Sequence, residues 1–137
     1  MTVNQPSLDQ AFQTLRKVRS VMLSLHKALM DSEKVAYEAQ FGKIQTKGQY
    51  LQLVMGDPWF NWLRDYSQYI VQVDESFSPK QQFTLEQAMK LLDEAKGLVS
   101  ESADGTEREK KYHAAIQRDA AIAKMHGELM TLIGDEG

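Results

Sequence analysis

The sequence predicts an all-α fold, and three observations carry that expectation. Apolar residues recur at three- and four-residue steps through most of the chain. Four hydroxyl-x-x-Gln/Glu boxes each precede such a stretch, where a Ser or Thr oxygen accepts from the third helical amide and the Gln or Glu accepts from the cap amide. No long segment alternates apolar and polar residues as a half-buried strand would.

The boxes are Ser7–Gln10, Thr46–Gln49, Thr84–Gln87 and Thr106–Glu109. A fifth start is Asp57-Pro58, because aspartate caps well and a proline at the first helical position lacks only an N–H that would be unpaired anyway. Gly42, Gly56, Gly105 and Gly134 mark ends, where the chain leaves a helix through a left-handed residue. The helices therefore span about 7–40, 47–55, 58–77, 84–101 and 106–133. The third stops before Ser78-Pro79, since the residue ahead of proline avoids the helical region.

Each long helix carries one apolar stripe. The first offers Leu8, Phe12, Leu15, Val18, Met22, Leu25 and Leu29; the third offers Trp59, Leu63, Tyr66, Ile70, Val73 and Phe77. In the fourth the stripe is Leu85, Ala88, Leu92, Ala95 and Val99, and in the last it is Tyr112, Ala115, Ile122, Leu129 and Ile133. Such stripes bury against one another, and short connections make consecutive helices antiparallel. The expected architecture is an up-and-down four-helix bundle, with one additional short helix between the first and second long helices. One domain fills residues 1–137, with 1–6 and 134–137 frayed. The first helix, ~50 Å long at about 1.5 Å per residue, outruns its partners. It is expected to break near Asp31-Ser32, to bend, or to project into the cover of the short helix or a second subunit.

The totals exclude several functions. At 137 residues, 42% apolar and 26% charged, the chain can bury a core without staples. Cysteine is absent, which removes disulfides, thiolate metal sites and thiol nucleophiles. A net charge of −3 gives no electrostatic reason to expect nucleic acid or an anionic membrane as partner. Met1 to Ser7 lacks the apolar run of a signal peptide, and no stretch approaches the ~20 apolar residues of a spanning helix. Cytoplasmic location follows as the default.

Two constellations are candidates for a site. Tyr112, Asp119 and His126 share a core-facing column of the last helix; Arg19, His26 and Glu33 flank the stripe of the first; Asp74 borders that of the third. Facing columns would join these groups into an internal polar network. As a function, His26, Glu33, Asp119 and His126 would hold a metal or a small ligand. Di-metal bundles use Glu-x-x-His pairs, which this chain lacks, so no metal or cofactor is predicted. The bland alternative is a network that fixes helix register. The second constellation is Asp57–Arg64, with three large aromatics in four residues that cannot share one helix face. With Trp59 and Leu63 inward, Trp62 points elsewhere. Trp59, Phe60, Trp62 and Tyr69 are then either covered by the short helix or form an interface, with a second copy or another protein. No catalytic motif emerges, which leans against enzymatic activity; the ligand- or metal-binding alternative leaves an enzyme open.

The stretches Leu25-His26-Lys27-Ala28-Leu29-Met30-Asp31-Ser32-Glu33, Asp57-Pro58-Trp59-Phe60-Asn61-Trp62-Leu63-Arg64 and Ala115-Ile116-Gln117-Arg118-Asp119 resemble a group of small bacterial all-helical proteins without an assigned role. The resemblance implies bacterial origin and a helical fold, and brings no activity, cofactor or site residue. The ligand spacings of hemerythrin and ferritin are absent.

Overall fold

The computed structural model describes residues 7–133, which are helical with no strand. The helix end at Gly134 and the frayed termini lie outside the described residues. The elements are α1 (Leu8–Phe41), α2 (Lys47–Gly56), a 3-10 helix (Pro58–Leu63), α3 (Arg64–Ser76), α4 (Leu85–Leu98), α5 (Glu107–Arg118) and α6 (Ala120–Ile133).

The caps follow the sequence closely. Ser7 with Gln10 and Thr106 with Glu109 form complete boxes. Thr46 and Thr84 make only the hydroxyl half, and the Gln49 side chain accepts from the Gln45 amide instead. Gly42 alone among the described residues has a positive φ, +97°, where any Cβ would be strained. Gly56 and Gly105 end no helix that way, contrary to expectation.

Of the alternatives for the first helix, the break at Asp31-Ser32 does not occur; α1 runs 34 residues without interruption. Other expectations need correction. The rod expected over 58–77 opens as a 3-10 helix, whose period of three aligns Phe60 with Leu63 and Trp59 with Trp62. Phe60, Trp62 and Leu63 are the buried set, and Trp59 is half-buried. The rod expected over 106–133 is two helices. Asp119, at φ −136° and ψ 111°, is extended; it ends α5, and its Oδ1 accepts from the Ala121 amide at 2.9 Å to start α6. It is a cap and not a member of a core column. In α4, Leu91 takes the buried place expected for Leu92.

Pairings set the directions. Phe12 meets Phe77, Arg19 meets Asp74 and Tyr37 meets Phe60, so the 3-10 helix and α3 run antiparallel to α1. Phe77 meets Phe83, and the Tyr69 and Tyr66 hydroxyls donate to the Leu91 and Leu98 carbonyls, each at 2.8 Å. α4 is thus antiparallel to α3. α5 ends beside Glu33, and α6 returns along α1 against α4. Buried residues form one cluster, from Leu15 of α1 to Ile133 of α6.

The C-terminal end of α1 is accompanied differently. Tyr37 and Phe41 pack edge-on or tilted against Trp59 and Phe60, and Tyr50 of α2 closes on Phe60. α2 contacts the 3-10 helix; its Tyr50, Leu53 and Val54 are partly buried against the core, and none of its residues is fully buried.

The break at Asp119 yields a prediction. Asp119→Ala removes the acceptor that starts α6, and is expected to lower stability by about 0.5–2 kcal/mol in urea unfolding, while Asp119→Asn costs less. A loss as large from Asn would show that charge, not capping, matters there.

Candidate functional site

The polar residues singled out in the sequence do not assemble into one network. They separate into five local arrangements.

Arg19 and Asp74 form a surface ion pair, Nε to Oδ1 at 2.7 Å, which holds the guanidinium above its usual range. Glu33, only 3% exposed, pairs with Arg118 of α5, whose Nε also donates to Ser32 Oγ at 2.7 Å. Asp119 caps α6, as above. His26 and His126 line separate clefts and do not come together. Among the described residues no three His, Asp or Glu side chains are grouped so as to hold a metal ion.

His26 faces a groove of about 430 Å³ between α1, α2 and the 3-10/α3 rod. Met30, Val54, Met55, Phe60 and Leu63 supply its apolar walls, with Arg64 and Ser67 at the rim. The Arg64 guanidinium donates to the Met55 carbonyl at 2.8 Å, near the end of α2, and so ties α2 to α3. Burial lowers the His26 pKa, so the ring is neutral at pH 7.

His126 lies in a second cleft, of about 400 Å³, between the end of α4, the loop after it and α6. Tyr112 and His126 stand seven residues to either side of Asp119, and the turn there brings them face to face. The Tyr112 hydroxyl is 2.9 Å from Nδ1, with the rings edge-on at 5.4 Å. Tyr112 is fully buried, and burial pushes its phenol well above the usual range. A buried phenol must donate, and Nδ1 is its hydrogen-bond partner here. On that argument we assign Nδ1 of His126 as the acceptor and its proton to Nε2. Burial lowers its pKa; Glu101 acts weakly in the opposite sense. Glu101 itself lies 2.5 Å from His113 Nδ1.

The four aromatic candidates are placed as follows. Phe60, Trp62 and Tyr69 are buried in the chain's own core, and Trp59 is half-buried with Lys111 over its ring. Exposed nearby are Phe41, which packs edge-on against Trp59, and two aliphatic residues one turn apart on α2, Leu51 at 58% and Met55 at 65%. Leu51 belongs to the short helix expected to cover the aromatic rings, yet it is exposed; Met55, Lys96, Glu101 and Arg118 were not singled out in the sequence. Met30 was open to detection, because it follows His26 by four residues. The partners of Glu33 and His113 come from distant helices or a loop and leave no local signal.

The depressed histidines predict a pH dependence. Unfolded, both imidazoles gain a proton near their ordinary value of 6.5; folded, they gain it only at lower pH. Stability present above 6.5 is therefore lost as pH falls from there through the folded values. Thermal melts at pH 7.5 and about 5 should show a smaller loss for a His26→Gln/His126→Gln variant than for the native chain. An equal loss would remove the histidines from the account.

The described residues form an all-helical chain in which His26 and His126 line separate clefts, and no helix of the described residues is long and apolar enough to cross a membrane. Comparison with protein-family models, curated proteins and solved structures finds no match to this chain.

Proposed function

We propose that this chain is a non-enzymatic interaction protein that acts by self-association through α2. One observation carries the reading: α2 leaves two large aliphatic side chains, Leu51 and Met55, exposed, while its Leu53 and Val54 are partly buried against the core. Isolated exposed aliphatic residues are normal. Here they coincide with a loss of charge. Residues 44–56 contain a single charged side chain, Lys47, in a chain that is 26% charged. Apolar exposure with charge depletion is the composition of an interface centre.

The groove beside α2 extends that surface. Its walls include Met30 and Met55, and methionine adapts its shape to a partner. A second copy offers an uncharged apolar helix of the right chemistry, its own α2. Two α2 helices meeting across a two-fold axis would cover Leu51 and Met55 of both copies. We take the frame to be an up-and-down bundle of four rods, with α5 and α6 together as the last. We keep with it the bacterial, cytoplasmic setting that the sequence suggests. The reading assigns no cofactor.

Sedimentation velocity over the micromolar range tests it. The native chain should pass from monomer to dimer as concentration rises. A Leu51→Glu/Met55→Glu variant should remain monomeric with an unchanged helical circular dichroism spectrum, because both side chains are exposed. A native chain that stays monomeric throughout, or a variant that dimerises equally, ends the reading.

A further inference from the structure

The cleft at His126 is independent of α2 and carries a different chemistry. We propose that it binds a small monocarboxylate with an apolar tail.

The polar end of such a ligand is specified by two donors. Tyr112 fixes the His126 tautomer, so the ring presents Nε2–H rather than a lone pair. Lys96 lines the same cleft and forms no ion pair among the described residues. One cation and one neutral N–H suit an acceptor of single negative charge. Glu101 also lines the cleft and opposes any anion, a dianion more than a monoanion, while its contact with His113 draws its carboxylate toward that ring. Ser100 adds no donor, because its hydroxyl donates to Glu109 Oε2 at 2.6 Å.

The apolar end is specified by Val99, Met130 and Ile133, which line the same cleft. Met130 is 44% exposed without a ligand, and an apolar tail would cover it. A volume of about 400 Å³ lies within the range of small-molecule sites. Neither a metal nor a nucleophilic step is implied. The cleft lacks a grouped ligand set, and its one imidazole is held as a donor.

The experiment is an NMR titration of the full chain with hexanoate, hexanol, hexylamine and hexyl phosphate, followed at the His126 ring and the Met130 methyl. Hexanoate should shift both signals saturably, and more tightly than the other three, while the Met55 methyl in the other groove stays in place. Lys96→Gln, an exposed change that leaves the core untouched, should weaken hexanoate about tenfold, the effect of losing one charge-assisted contact. No saturable shift with hexanoate, hexanol binding as tightly, hexyl phosphate binding more tightly, or Lys96→Gln without effect would each overturn the proposal. A monomeric native chain in the sedimentation experiment would leave it standing.

Discussion

Arg118→Leu is expected to destabilise the protein by about 3–5 kcal/mol in urea unfolding at neutral pH, one of the two largest single effects we foresee. The reason lies in Glu33. Its carboxylate is buried on α1, and its ion-pair partner is the Arg118 guanidinium from the last turn of α5. Without it, a carboxylate stays out of water with no compensating charge, which costs far more than the pair contributes when intact. The double variant Glu33→Leu/Arg118→Leu should recover most of the loss, because no charge is left behind. A double-mutant cycle measures that recovery directly. A loss below about 1 kcal/mol for Arg118→Leu would mean that water reaches Glu33, and that the joint between α1 and α5 is looser than described.

The second large effect falls on Tyr66. Its side chain is fully buried, stacks edge-on with Trp62 at 5.8 Å, and lies 6.0 Å from the Tyr112 ring. Its hydroxyl donates to the carbonyl of Leu98, the last residue of α4, where helix carbonyls lack partners within the helix. Tyr66→Ala empties the junction of α3, α4 and α5, and should cost about 3–5 kcal/mol. Tyr66→Phe keeps the ring but leaves the Leu98 carbonyl unpaired, for a loss of about 1–3 kcal/mol. Equal losses from the two variants would show that the hydrogen bond, not the ring, holds the junction.

Particular residues show where the fold was legible. Ser7 and Thr106 announced their helices because a capping box is a local arrangement, complete within four residues. The stripe of α1 from Leu15 to Leu29 is wholly buried, as its spacing implies. The stripe of the last rod, Tyr112 to Ile133, is buried too. Its spacing nevertheless concealed the break at Asp119. Tyr112, Asp119 and His126 keep a seven-residue interval, which reads the same in one straight helix and in two helices folded about their midpoint. The signal that separates the cases is chemical. Aspartate is a strong cap and a poor core residue, and Asp119 stands directly before Ala120 and Ala121.

The start of the third rod failed for a related reason. Pro58 and three aromatics tighten the first turn into a 3-10 helix, and a change of period from 3.6 to three moves every side chain to a new face. The candidate sites were less legible still. Periodicity tells which face of a helix is apolar, not which helix it meets. Glu33 and Arg118 are 85 residues apart, and His126 and Lys96 join only through the path of the intervening loop and α5. The apolar residues of α2 were visible as a run, but nothing in the run distinguishes a helix that packs inward from one that leaves Leu51 and Met55 outside.

The claim that α2 is a contact surface is tested most directly by a distance across the contact. A nitroxide attached at position 52, an exposed residue on α2, reports that distance by double electron–electron resonance. Packed helices lie roughly 8–10 Å apart, so two labels on paired α2 helices should give one short, narrow distance distribution that vanishes in Leu51→Glu/Met55→Glu. The absence of any dipolar modulation in the native chain at high concentration, or a broad distribution that survives the double substitution, would contradict the account.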